Sequence, residues 1–299
     1  MRKGIGWLLV FLGSFALVAG ILVKFYAADA LQVTPENVDS VTRLSGTTDR
    51  LNAAEGETEL MDVKVTSVTQ TDTQRSDDEV VAWVNTTCVV KDLPDTPDCV
   101  DADDPQNRLI TATIDVFATD RKTALAVNDE KYLSDDAVPH EGLVNKWPFG
   151  AEKEDYPYWD GVLGEAVTAE YTGTEDLDGL EVYVYEVTID EEPAEVVSGI
   201  DGLYSAEKTI KVEPKTGAII YQEQRDVRTL PNGDPLNDLQ VAFTDEQLET
   251  SIQDGKDGVS QINLISNTVP IIAIIAGIVL LALGLFMVLG AGRRRSHEA

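Results

Sequence analysis

The sequence predicts a mainly β domain, arranged as antiparallel sheets or a barrel-like closure of them, flanked by N- and C-terminal transmembrane helices. Three observations carry that expectation. Two long apolar runs hold no charge, the segments between them alternate apolar and polar residues, and turn-forming residues separate those segments at short intervals.

The first apolar run, residues 4–23, is 20 residues long, and the second, residues 269–289, is 21. At about 1.5 Å rise per residue, a helix of either length spans the roughly 30 Å hydrocarbon core of a bilayer. The first run exceeds the about 7–15 apolar residues of a secretory signal, so it reads as an uncleaved anchor although residues 27–30 offer an Ala-Asp-Ala cleavage pattern. Arg2 and Lys3 precede the first run, and Arg293, Arg294 and Arg295 follow the second. Basic flanks mark the cytoplasmic side, which predicts a double-pass plasma-membrane protein with both termini in the cytoplasm. The expected organisation is cytoplasmic residues 1–3, a span at 4–23, an extracytoplasmic domain at 24–268, a span at 269–289 and a basic cytoplasmic tail at 290–299.

Charge narrows the partners. Taking the five flanking basic residues from 23 and Glu298 from 53 acidic ones leaves residues 24–268 with 18 against 52, a net charge of -34. Such a surface repels phosphate backbones and anionic lipid headgroups, so a nucleic-acid role is excluded. Inside the spans Ser14 is the one conventional polar side chain, which argues against a pore lined by these helices. Gly6, Gly13 and Gly20 recur every seven residues, and Ala273 with Gly277 forms a small-xxx-small pair. Small residues let helices approach closely, so these positions are expected to pack the spans on each other or on a partner.

Cys88 and Cys99 are the two cysteines, and in an oxidising compartment they are expected to form a disulfide around the acidic, proline-containing stretch KDLPDTPD. Strands are expected at 60–69, 80–90, 108–119 and 180–189, with a hairpin of KTIKV and AIIYQEQ turning at EPKTG. Further turns are expected at TDRKTA (119–124) and DLDGL (176–180). A short helix should begin at the capping box of Thr244 with Gln247 and stop at Gly255.

No HExxH, GxSxG or Cys/His metal cluster is present, no cofactor is implied, and the 52 outward carboxylates make any glycosidase-like pair undiscriminating. Asp98, Asp101, Asp103 and Asp104 gather hard oxygen ligands, but Pro105 and a missing glycine break the calcium-loop pattern. No metal site is expected. The densest feature is WPFGAEKEDYPYWDG (147–161), where Trp147, Phe149, Tyr156, Tyr158 and Trp159 accompany Asp160. These rings either plug the end of a β core or keep faces free for a ligand such as a sugar.

That block, the spacing on to DLDGLEVYVYEV, and the DRKTA and EPKTGAII turns resemble an actinobacterial envelope family, filed as a domain of unknown function and often labelled PorA-family porin. The family usually carries glycine after Asp-Arg-x-Thr; Ala124 stands there in this chain, a residue that disfavours the positive φ glycine would take. The resemblance implies a membrane-anchored protein that assists maturation of lipomannan and lipoarabinomannan, and the missing catalytic motifs make a non-catalytic role the expectation. Its partners would be the bilayer, lipid-linked mannan or lipoglycan, and membrane glycosyltransferases. Other readings are lipid or glycolipid transport through an apolar tunnel in the domain, a carboxylate-dependent glycan-acting enzyme, and a porin or porin-associated protein.

Overall fold

A computed structural model describes residues 2–27, 30, 32–52, 55–135 and 137–293. Residues 28 and 29 of the Ala-Asp-Ala pattern and Arg294 and Arg295 of the basic tail lie outside the described residues. The chain forms helices α1 (Arg2–Leu22), α2 (Asp245–Asn263) and α3 (Val269–Arg293), with single π turns at Val23–Ala27 and Leu264–Thr268. Ten strands are present among the described residues: β1 (Asp39–Asn52), β2 (Glu57–Asp72), β3 (Val80–Lys91), β4 (Leu109–Asp120), β5 (Tyr156–Asp160), β6 (Glu165–Leu177), β7 (Leu180–Val197), β8 (Ile200–Glu213), β9 (Ala218–Thr229) and β10 (Pro235–Phe243). Two compact units result, Met1–Val33 with Asp257–Ala299, and Thr34–Lys256.

In the first unit α1 and α3 pack antiparallel along their glycines. A Cβ on Gly13 would lie 2.7 Å from the Leu281 nitrogen and 2.8 Å from the Gly277 carbonyl oxygen. One on Gly6 would lie 3.2 Å from the Gly284 oxygen, and one on Gly20 3.1 Å from the Ala273 Cβ. Backbone therefore meets backbone with nothing larger than hydrogen between, which maximises dispersion contact where no hydrophobic drive operates. The helical stretches Lys3–Tyr26 and Asp245–Leu289 are long and apolar enough to cross a membrane. The chain is a membrane protein.

In the second unit the strands form one antiparallel sheet in the order β4-β3-β2-β1-β10-β9-β8-β7-β6-β5. Each half is a meander of sequence neighbours, and the halves join where β1 pairs with β10, from Leu44 opposite Phe243 to Arg50 opposite Asn237. At one end the sheet curls until its edges meet. There Ala126 donates to Gly142 O, Leu143 N–H to Pro157 O and Trp159 N–H to Leu143 O, each at 2.8 Å, so Leu143 bridges the β4 side to β5. Inside the curl lies a core of Tyr185, Val187, Ile189, Tyr204, Ala206, Ile210 and Val212, the in-phase positions of β7 and β8. The opposite face is acidic: Glu170, Glu186, Glu207 and Glu223 are exposed. Cys88 and Cys99 are joined as expected.

Local chemistry sets the turns. Asp178 and Gly179 both take positive φ (57° and 86°) between β6 and β7, the requirement of a two-residue hairpin. Ala124 also takes a positive φ, 60°, so the left-handed position survives without glycine. Asp120 Oδ1 holds that turn by accepting from the Lys122 and Thr123 N–H groups and the Thr123 hydroxyl. The capping box forms by half: Thr244 Oγ1 accepts from Gln247 N–H, while the Gln247 side chain accepts from Arg43 N–H instead of turning back on Thr244. Gly255 does not stop the helix, which runs on to Asn263. It is buried, and a Cβ there would lie 2.8 Å from Leu180 Cδ2 and 2.9 Å from Ile220 Cδ1, so the glycine serves close packing on the sheet.

Candidate functional site

The aromatic block divides between two places in the curled sheet. Its first part is an irregular crossing segment tied to the β8–β9 turn, with Trp147 N–H donating to Gly217 O and Ala151 N–H to Pro214 O, both at 2.8 Å. Gly217 has φ +71°, and a Cβ on it would sit 2.0 Å from the Trp147 carbonyl oxygen, so glycine is required both for the turn and for the docking. Trp147 is fully buried, its ring 5.5 Å from Tyr158 and 5.0 Å from Tyr185. Its second part, Tyr156–Asp160, is a strand, because it finds a partner in β6 from Ala169 to Glu165.

Tyr158 and Trp159 are buried and their ring faces are largely taken up by neighbours. Trp159 stands 4.4 Å from His140, His140 5.3 Å from Phe117, and Phe117 6.3 Å from Trp83, a row of rings running from β5 to β3 through the closure. His140 Nε2 lies 3.0 Å from Asp115 Oδ2 and Nδ1 lies 2.8 Å from the Val138 oxygen. Tyr156 is half-buried and its hydroxyl accepts from Glu152 N–H. Phe149 carries the Lys146 ammonium position 3.8 Å from its ring centre. Burial pulls Lys146 down to about 7, and Thr34 Oγ1 accepts from its Nζ at 3.2 Å.

Asp160 belongs to a second constellation. Fully buried, it caps the β5–β6 turn through Oδ1, which accepts from Val162 and Leu163 N–H, and faces the core through Oδ2. That oxygen accepts from Lys208 Nζ at 2.7 Å and from the Tyr204 hydroxyl at 3.2 Å. Asp226 Oδ1 lies 3.4 Å from the same hydroxyl, and its Oδ2 accepts from Gln224, whose Oε1 accepts from Gln222. One ammonium thus stands among two carboxylates contributed by β5 and β9.

Burial and charge oppose each other here. Burial pushes the Asp160 carboxyl up, but Lys208 and the two turn N–H groups outweigh it, leaving Asp160 below its ordinary value. Burial also raises Asp226, and in spite of Lys208 its pKa stays above the ordinary carboxylate value. Desolvation would lower Lys208, yet Asp226 and Asp160 together hold it above its usual value. The arrangement ties β5, β8 and β9 together through Asp160, Lys208, Tyr204 and Asp226, with charge-assisted bonds at Asp160. Tyr204 and Lys208 were missed in the sequence, although Lys208 falls in phase with the apolar residues Tyr204, Ala206, Ile210 and Val212, which marks an inward lysine. Asp226 follows Gln222 and Gln224 on β9 and carries no such mark.

Two of the four carboxylates of the acidic loop are taken up by arginines, while Asp101 and Asp103 are exposed. Asp104 accepts from Arg108 main-chain and side-chain N–H groups, and Asp98 pairs with Arg43. Among the described residues no three His, Cys, Asp or Glu side chains converge on a metal position. On the acidic face, a concavity of about 500 Å³ is lined by Ser45, Thr47, Glu207, Thr209, Arg225 and Gln240. Arg225 is held there in a bidentate pair with Asp238.

A family model described as Porin PorA matches residues 5–286. A curated protein named Porin PorA from Corynebacterium amycolatum is 35% identical over 101 residues, 30% of this chain and 26% of that protein. Another of that name, from Corynebacterium resistens, is 23% identical over 295 residues, 66% of this chain and 71% of the relative. The chain thus spans about a quarter of the length of the first relative and 71% of the second.

Proposed function

Because the chain belongs to the Porin PorA family, we propose that it is a porin-associated membrane protein that acts through an extracytoplasmic β domain held by two spans, not as a conduit made of its own strands. One observation carries this reading: the sheet face turned away from the core exposes Glu170, Glu186, Glu207 and Glu223. A membrane-crossing barrel needs an apolar band there, because each charge at mid-bilayer costs about 2–4 kcal/mol for a basic residue and somewhat less for an acidic one. The uncharged runs 4–23 and 269–289 supply the lipid contact instead. Residues 1–3 and 290–299 are cytoplasmic in this reading, and residues 24–268 face outward, supported by the basic residues at both flanks.

Two measurements test it. Added protease should cut residues 24–268 in intact spheroplasts. The purified full chain in planar bilayers should give no conductance by itself. Protection before lysis overturns the topology, and stable single-channel steps from the pure chain overturn the porin-associated role. The finer assignment, help with lipomannan and lipoarabinomannan maturation by binding lipid-linked glycan or its glycosyltransferases, is the process the family resemblance implies. Deletion with analysis of extracted lipoglycans tests it separately, and unchanged profiles remove that process while leaving the topology intact.

A further inference from the structure

The hydrogen-bond ladder of the sheet stops partway along one edge. Near its end β4 is covered on the side away from β3, where Val127 N–H donates to Ala118 O and Asp120 N–H to Leu125 O. Along residues 109–116 no described segment pairs with that side. The other edge strand, β5, is five residues long and is paired by Leu143. An open edge is a template for another strand, and folded proteins commonly blunt it with charge or proline. Residues 109–116 read LITATIDV, with no proline, no lysine and one carboxylate, in a domain of net charge -34. Thr111, Ala112, Thr113 and Ile114 are exposed, Ile114 at 74%.

We infer that this edge receives a second copy of the chain, by antiparallel pairing of β4 with β4 about a two-fold axis through Thr113. Residues directly opposite across an antiparallel pair share a face, so such an axis must pass through a residue position. Centring on Ala112 would set the irregular position at Ile110, where the β3 register shifts, against Ile114 of the partner subunit. Centring on Thr113 makes the five central positions, 111 to 115, all regular ones. Thr113 then meets Thr113 of the partner subunit, Ala112 lies under Ile114 of the partner subunit, and Thr111 faces Asp115 of the partner subunit. A hydroxyl opposite that carboxylate finds an acceptor, since Asp115 Oδ2 is engaged by His140 while Oδ1 is not among its contacts. The two Asp115 side chains are never opposite each other. The exposed positions 111 to 114 offer backbone groups, two small hydroxyls and one isoleucine, which a two-fold copy matches with nothing added. A basic partner would find the carboxylates elsewhere on the domain. The inference stands independently of whether the chain serves a porin.

The test uses the full chain in detergent micelles. Because two copies carry like charge, the dimer fraction measured by light scattering should grow as sodium chloride screens them. Thr113→Cys should yield a disulfide-linked dimer under mild oxidation, and Glu186→Cys on the acidic face should not. Ile114→Lys and Thr113→Pro should each leave a monomer with unchanged circular dichroism; if Thr113→Pro misfolds, Ile114→Lys alone decides. A chain monomeric at every salt concentration overturns the inference. So does a dimer that survives Ile114→Lys, or a Thr113→Cys cross-link formed with a different protein in native membranes.

Discussion

Lys208 is the residue on which the interior balance turns. It stands among Asp160, Asp226 and Tyr204, and removing its charge leaves two enclosed carboxylates uncompensated. Lys208→Met should cost about 3–5 kcal/mol near neutral pH, the usual penalty for breaking a buried pair. In the native protein Asp160 is depressed, so its stabilisation is present above the ordinary carboxylate pKa and is lost as pH falls through its lower folded value. Asp226 is raised, so its contribution is full below the unfolded value and is lost as pH rises through the raised one. Without Lys208 the burial that raises both acids acts unopposed by the ammonium. The variant should therefore be least impaired near the acid end of the carboxylate range and lose stability as pH rises. Urea unfolding followed from about pH 4 to about pH 8 measures this, and a deficit constant across that range contradicts it.

At the scale of elements, the span pair rests on hydrogen-sized positions. Gly13 meets Gly277 and Leu281 at backbone distance, so Gly13→Leu should force α1 and α3 apart, a change readable by spin labels at the exposed positions Trp7 and Phe286. An unchanged label distance would mean that the glycines do not set the separation. The seven-residue repeat of Gly6, Gly13 and Gly20 was visible in the sequence, but Gly284, which faces Gly6, was not singled out because one more glycine in an apolar helix makes no pattern alone. The strands tell a similar story. β2, β3, β4, β7 and the β8–β9 hairpin announce themselves by alternation and β-branched residues. β1 reads DSVTRLSGTTDRLN, with too little apolar content to alternate, and is a strand because β2 and β10 bracket it with a full ladder. β6 is acidic and is likewise defined by its partners. Pairing partners distant in sequence leave no local periodic trace, which also explains why the Asp160 to Lys208 to Asp226 grouping could not be read in advance, even though Asp160 itself could.

At the scale of the whole molecule, self-repulsion should dominate over surface pairing. Pairs such as Arg43 with Asp98 and Arg225 with Asp238 are exposed and contribute little each, while residues 24–268 carry 52 acidic against 18 basic side chains. Raising ionic strength from about 10 mM to about 1 M shortens the Debye length from about 30 Å to about 3 Å and should raise the thermal midpoint of the β domain. A falling midpoint would show that the ion pairs outweigh the repulsion.

The β1–β10 ladder also carries a consequence for biogenesis. Since the earliest strand of the sheet is completed by the latest, a nascent chain cannot seal the seam between its meanders until about 200 further residues have been synthesised. During that interval the first meander keeps a raw margin at β1, so any pause in synthesis just short of residue 235 would leave the species most exposed to misassembly.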